Sequence, residues 1–357
     1  MAAKPTFSVP SGETAQVSII ETGMRMDDVT FGFLLAPPVD GFEAFSIPGW
    51  SFLIQSSKGQ KVLFDLCFTP DKEIYPPGTW DLIKATGSVV HGNKHVADIL
   101  KDNNFDPAEI NSVIWSHHHW DHIGDVTTFP KTTEVVVGPG FKKNFLPGYP
   151  TDPSSYIEER HFEGRILREV EFSTSSLKIG KFRALDFFGD GSFYLLDAPG
   201  HDWGHLSGLV RTTSNPDTFI FLGGDVVHHG GELRPTKYLP IPDEVQFPLP
   251  DRVRARGVSA CPKGSQFREL NIKRGRKPDE PFFDPVLVVD MNDAVESVDK
   301  AQEADAQSNI FFVFAHDASI QGVVEFFPQS ANAWKEKGWK DKHMWKFLGD
   351  VTLATTA

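Results

Sequence analysis

Short apolar runs, rich in β-branched and aromatic residues, recur along the chain, each closed by Gly, Pro, Asp or Ser. "WSFLIQS" (50–56), "QKVLFDLC" (60–67), "TEVVVGPG" (133–140), "SFYLLDAPG" (192–200), "SGLVRTT" (207–213), "TFIFLGGD" (218–225), "PVLVVD" (285–290) and "NIFFVFAHD" (309–317) all read as strands on this basis. Two stretches instead space their apolar positions at helical intervals. In "NKHVADILKDNN", Val96, Ile99 and Leu100 share a face, and in "NDAVESVDKAQEADAQ", Val295 and Val298 do. The mixture predicts an α/β fold with extensive sheet. No internal repeat or low-complexity linker interrupts it.

Residues 226–284 break the pattern, being rich in Pro, Gly and charge with few strand or helix signals, and are read as a long loop insertion. Its basic cluster, Arg252, Arg254, Arg256, Lys273, Arg274, Arg276 and Lys277, would suit a nucleic acid. The whole chain argues otherwise: 35 Lys and Arg against 48 Asp and Glu leave a net charge of −13, the opposite of a basic footprint. The cluster is therefore read as solvated surface and nucleic acid is excluded as a partner. With 357 residues the chain could form two domains, but one large α/β architecture accommodates that length, and a single domain over 1–357 is expected.

Two cysteines far apart, Cys67 and Cys261, argue against a disulfide scaffold or a thiolate zinc site. The opening residues lack the apolar core of a secretory signal and no window approaches a membrane span, so a cytoplasmic protein without a membrane partner is expected. A C-terminal helical tail at about 330–350 is expected to pack Trp334, Trp339 and Trp345 onto the sheets and leave its lysines in water. Oligomeric state is not legible.

The chemistry concentrates at "WSHHHWDHIGD" (115–125), which follows an apolar, β-branched run. Imidazole and carboxylate are nitrogen and oxygen ligands for zinc and its neighbours. His117 and His119 alternate by two, so an extended backbone points both to one side and His118 to the other. Asp121 and His122 follow where the chain turns, and Gly124 lets that turn run close to other backbone. Further candidates recur in matching contexts: His201 and His205 beyond one apolar strand, Asp225 at the end of another and His316 at the end of a third. Strand ends along one edge of a layered sheet are a usual place for a site.

These motifs resemble the metallo-β-lactamase superfamily over roughly positions 45–325. Its His-x-His-x-Asp-His signature stands as His117-His118-His119-Trp120-Asp121-His122. Its Pro-Gly-His-x-x-Gly-His segment stands as Pro199 to His205, its bridging aspartate as Asp225 and its last histidine as His316. The resemblance implies an αββα sandwich with the metal site at one edge of the two sheets. It implies two zinc ions per chain: His117, His119 and His205 on the first, Asp121, His122 and His316 on the second, and Asp225 bridging. His201 is left as a turn or supporting residue, and Asp65 is expected to orient a ligand. Leu66 and Cys67 replace the small residue and glycine that usually follow that aspartate.

Two ions sharing a carboxylate would bring a water's pKa to roughly 7 and make hydroxide available to attack a polarised carbonyl. Asp121 would move a proton to the leaving group. The run "GGDVVHHGGELRPTKYLP" (223–240), with "FFVFAHDAS" and "WKEKGWKDKHMWKFLGD", resembles fungal members linked to opening lactone or lactam rings. In acyl-homoserine lactonases a tyrosine three positions after the bridging aspartate donates to the substrate carbonyl; here His228 holds that position. The aromatic supply, including Phe42, Phe45, Trp50, Trp120 and Trp203, points to a hydrophobic cyclic ester or amide as the small-molecule substrate, and a benzoxazolinone-type γ-lactam fits. The alternatives are a thioesterase of the glyoxalase II type, a mononuclear-iron persulfide dioxygenase and a non-catalytic metal-binding protein. A diiron reductase is disfavoured by His119 and the absence of a flavodoxin-like segment, a nuclease by net charge and the missing nuclease domain.

Overall fold

The computed structural model describes residues 5–355 apart from 72–73, 86, 93 and 174–175. Its first sheet contains β1 (Ala15–Thr30), β2 (Ala44–Ser56), β3 (Lys61–Phe64), β4 (Val89–His91), β5 (Ser112–Ile114), β6 (Glu134–Val137) and β7 (Leu167–Glu169), in the order β4-β1-β2-β3-β5-β6-β7. The second contains β8 (Lys178–Ile179), β9 (Phe182–Asp186), β10 (Phe193–Asp197), β11 (Leu206–Thr213), β12 (Thr218–Leu222) and β13 (Ile310–Val313), in the order β13-β12-β11-β10-β9-β8. β3, β5, β6 and β7 run parallel, as do β12 and β13, and the remaining pairs are antiparallel.

The sheets pack face to face through Val17, Ile19, Phe52, Ile54, Val62 and Phe64 on one side and Phe193, Leu195, Val210, Ile220, Phe311 and Val313 on the other. Outside the first sheet, Leu53, Leu63, Val113 and Val135 lie against Val96, Ala97 and Leu100 of the helix Val96–Asp102. Outside the second, Leu196, Leu209, Phe221 and Phe312 lie against Val298, Ala301 and Ala304 of the helix Met291–Asp305. Both sheet faces are thus covered, which is why the strands read as continuous apolar runs instead of alternating ones. The architecture is the expected αββα sandwich. Each large apolar side chain taken fully out of water contributes about 1.5–3 kcal/mol to holding it.

Several local expectations were displaced. β1 was not anticipated: its polar residues and Gly23 hide a period of two, with Met24 and Met26 buried and Gly23 and Arg25 exposed between them. Of the "PVLVVD" run only Pro285 is strand, in the two-residue strand Asp284–Pro285 that pairs with Leu35–Ala36, and Val286 and Val289 are exposed. On the helix Met291–Asp305, Val298 is buried but Val295 is exposed, because small residues, Ala294, Ala301 and Ala304, form the buried face. Within 226–284 lie the helices Gly230–Leu233, Asp251–Arg254 and Gly264–Lys273. Phe267, Phe282 and Phe283 join Met24, Phe31, Leu34, Trp345 and Phe347 in a further apolar cluster.

Arg252 and Arg274 of the basic cluster are engaged inward, Arg252 with Asp350 and Arg274 with the Pro37 and Phe282 carbonyls. The tail buries its three tryptophans, in the short helices Trp339–His343 and Leu348–Val351 and the turns around them. Lys340 departs from the expectation for the lysines. It is buried and donates to the carbonyls of Gln307 and Ile310 at 2.7 Å each, filling the cationic role beside Asp305 that a solvated lysine could not. No helix among the described residues is long and apolar enough to cross a membrane.

Candidate metal centre

β10, β12 and β13 share one direction, so the residues following their C-terminal ends, His201, Asp225 and His316, meet at one edge of the second sheet. Residues 115–123 leave the end of β5 and close the site from the first sheet, with Trp120–Ile123 forming one short helical turn. Gly124 (φ 50°) follows; a Cβ there would stand 2.5 Å from Leu66 Cβ.

Three ring nitrogens converge first. His117 Nε2 lies 2.9 Å from His119 Nδ1, and His201 Nε2 lies 3.2 Å and 3.0 Å from those two atoms. The hydrogen bonds of the other ring nitrogens fix the tautomers of His117 and His201. His201 Nδ1 donates to the Leu287 carbonyl at 2.8 Å, and His117 Nδ1 sits 3.0 Å from Ser116 Oγ, whose own proton goes to Asp65. The lone pairs of His117 and His201 are therefore aimed at one point, which His119 Nδ1 also faces. Burial holds these rings neutral, His119 down to about 4 and His117 and His201 well below their ordinary value. Tetrahedral zinc at 2.0–2.1 Å from nitrogen places its ligands about 3.3 Å apart. The cluster fits such an ion, which would relieve the crowding of lone pairs.

The second group is Asp121, His122 and His316. His122 Nδ1 bonds Asp65 Oδ2 at 2.9 Å and His316 Nδ1 donates to the Pro48 carbonyl at 2.8 Å, so both turn Nε2 inward. His122 Nε2 and Asp225 Oδ1 are buried without a hydrogen-bond partner among the described residues, a cost that a cation would remove. Burial disfavours a charged His122, but Asp225, Asp65 and Asp121 override it and raise the ring well above its usual value. Asp225 Oδ2 lies between the groups, 3.2 Å from His122 Nε2, 3.4 Å from His316 Nε2 and 3.7 Å from His201 Nε2.

Asp65 has the orienting role expected of it, accepting from the Ser116 N–H at 2.7 Å and the Ser116 hydroxyl at 2.8 Å as well as facing His122. Asp65 and Cys67 both take positive φ, 58° and 57°, so the turn that glycine would ease is held by non-glycine residues. His118 points away, as predicted, onto Asp202 and the Phe145 ring. Asp202 thereby ties the two histidine-bearing loops together, a role the sequence did not reveal.

His205 is a correction. Its Nε2 accepts the Asp225 backbone N–H at 2.9 Å and its Nδ1 donates to the Ala198 carbonyl at 3.0 Å, leaving no lone pair for an ion. Gly224 (φ 55°) makes that contact possible, since a Cβ there would lie 2.7 Å from His205 Nε2. His201 occupies the place assigned to His205. His228 and His229 also divide. His229 caps the Gly231 N–H at 2.9 Å and faces Asp350 at 3.2 Å, whereas the buried His228 ring has no hydrogen-bond partner among the described residues and stands 3.5 Å from Asp225 Oδ2.

A small apolar cavity of about 80 Å³ opens on the centre. Met26, Val29, Phe33, Leu34, Trp120 and Leu287 form its walls, and His119, Asp121, Asp225, His228 and His316 its reactive side. Of the aromatics expected there, Trp120 lines this cavity and Phe45 lines its neighbour. Phe42 and Trp50 are buried in packing, and Trp203 is exposed.

An αββα sandwich carrying two adjoining His/Asp clusters along one edge defines a class of metal-binding proteins. The chain belongs to the metallo-β-lactamase superfamily, whose sequence profile matches residues 46–241. It is 42% identical to Gamma-lactamase FDB1 of Fusarium pseudograminearum, covering 98% of this chain and 85% of that one. It is 41% identical to Metallo-hydrolase mfmC of Annulohypoxylon moriforme, covering 98% and 91%. Among solved structures, a quorum-quenching N-acyl homoserine lactone lactonase superposes with a TM-score of 0.53 at 16% identity, covering 90% of this chain and all of that one, a likeness of fold.

Proposed function

We propose that this protein is a dinuclear zinc hydrolase that opens a cyclic amide or ester, a γ-lactam or lactone, of a small hydrophobic molecule. The observation that carries the reading is the likeness, over nearly the whole chain, to a relative named as a gamma-lactamase, joined to a buried set of His and Asp side chains whose free atoms face one another. His117, His119 and His201 would hold one ion, Asp121, His122 and His316 the other, with Asp225 between them. Such ions supply Lewis acidity toward a carbonyl and a water that ionises near neutral pH.

The chain's own residues account for the rest. The apolar cavity receives the ring and excludes water from it, which strengthens every charge interaction inside. His228, its ring unengaged at the cavity wall, donates a hydrogen bond to the carbonyl oxygen as negative charge gathers there. Asp121, which lines the same cavity, carries a proton to the departing amine or alcohol. The test is a turnover panel of metal-loaded protein on lactones, γ-lactams including a benzoxazolinone, thioesters and a persulfide, with metal analysis alongside. Ring opening with about two ions per chain is expected. Turnover of thioesters alone, or of persulfide with one iron, would replace the reading, and no turnover on a fully loaded protein would favour a binding role.

A further inference from the structure

The centre adjoins a second cavity. About 380 Å³ in volume, it shares Ile47, His228 and His316 with the apolar one, so a ring held at the metals can extend into it past His228. Its walls are polar where those of the first are not, and their charges are unevenly satisfied. Arg252 is paired, donating to Asp350 Oδ1 at 2.6 Å and to the Gly41 carbonyl at 2.8 Å, while Asp350 also meets His229. Asp317 accepts the Ser319 N–H at 3.0 Å. Lys346 differs. Its ammonium donates to the Gln321 carbonyl at 2.7 Å, and no carboxylate pairs with it among the described residues. Its side chain is half buried, and burial draws its pKa below the usual lysine value although Asp317 opposes the shift. An ammonium so placed gains from an incoming anion.

We propose that this cavity receives a carboxylate arm of the substrate, with Lys346 as its counter-charge, so that the ring opened at the metals bears an acidic substituent. The inference rests on the ring-opening reading and narrows its substrate class. Asp28, Asp317 and Asp350 line the same cavity as Lys346 and favour a single negative charge over a phosphate dianion. Lys346 is a specificity residue here and takes no part in the chemistry.

The carboxylate that Lys346 meets could belong to the substrate's arm or be the one newly made by ring opening, and the experiment separates these. KM and kcat are measured on a lactone carrying a carboxymethyl arm and on its methyl ester, for wild type, Lys346→Met and Lys346→Arg. Lys346→Met should raise KM for the acid about tenfold, equivalent to about 1.4 kcal/mol, leave the ester's KM and both kcat values unchanged, and be largely rescued by Arg. Equal effects on acid and ester would overturn the proposal. So would a change confined to inhibition by the opened product. A second arm needs no turnover: calorimetric binding of the corresponding cyclic ethers, with and without the carboxylate, to the same variants. Lys346-dependent preference for the acid ether in a protein that hydrolyses nothing would preserve the binding assignment and sink only the ring-opening reading. Lactone turnover without any acid preference in either arm would do the reverse.

Discussion

His201 and His205 stand four residues apart in one loop, and replacing each with alanine should give different phenotypes. His205→Ala removes the acceptor of the Asp225 N–H and the donor to the Ala198 carbonyl, bonds of 2.9 and 3.0 Å in a fully buried setting. Two buried backbone groups left unsatisfied cost about 1–3 kcal/mol each, so a loss of roughly 2–6 kcal/mol is expected in metal-free protein. His201→Ala gives up one bond, to the Leu287 carbonyl, so metal-free stability should fall by about 1–3 kcal/mol, roughly half the loss for His205→Ala. Metal binding should respond differently. With His201 gone, the first group keeps His117 and His119 beside Asp225, and on the proposed two-ion reading the protein should bind about one ion fewer per chain. The assay pairs urea unfolding of chelator-treated protein with elemental analysis after reloading. A His201→Ala protein with wild-type metal content would refute the reassignment, as would a His205→Ala protein unchanged in metal-free stability.

The other expectations follow from the same geometry. Asp225→Ala should cost both ions and activity together, since its carboxylate lies between the two groups, and retained two-ion occupancy in elemental analysis would sink its bridging role. His228→Ala should lower turnover by on the order of 10²–10³ with metal content unchanged, whereas His229→Ala should lower stability through its lost cap and leave turnover nearly intact; equal small kinetic effects would remove His228 from the chemistry. Burial pushes His343 down to about 3, so the unfolded chain takes up a proton below about pH 6.5 that the folded one refuses. Its contribution is present above pH 6.5 and is lost progressively as the pH falls toward 3, by up to about 5 kcal/mol. Metal-free His343→Gln should therefore lose less stability than wild type on acidification from pH 6.5 to 4, and parallel pH profiles would contradict this.

Much of this protein is written locally. Runs such as "TFIFLGGD" and "NIFFVFAHD" are apolar throughout because both faces of each sheet are covered, and their ends carry Asp225 and His316 because strand ends along one edge are where side chains from distant segments can meet. The alternation of His117 and His119 about His118 survives for the same local reason, a short extended backbone. What failed depended on partners. β1 is polar enough to hide its period, and only pairing with β2 and β4 makes it a strand. "PVLVVD" has strand composition, but beyond Pro285 it pairs with no strand among the described residues, and Val289 instead donates to the Gly200 carbonyl at 2.9 Å. The choice between His201 and His205 was beyond any local pattern. Both are histidines in the same loop, and what separates them is that the Gly224 turn brings a backbone N–H of Asp225 against one ring while the Asp225 carboxylate faces the other. Likewise nothing in "KDKHMWKF" distinguishes Lys340, buried under backbone carbonyls, from Lys346 at the wall of a cavity. Sequence determines which groups are capable of this chemistry, because ligand type and local backbone are properties of the residues themselves. The tertiary structure decides which of those groups are left with a free lone pair or an unpaired charge, because that depends on what the rest of the chain has already satisfied.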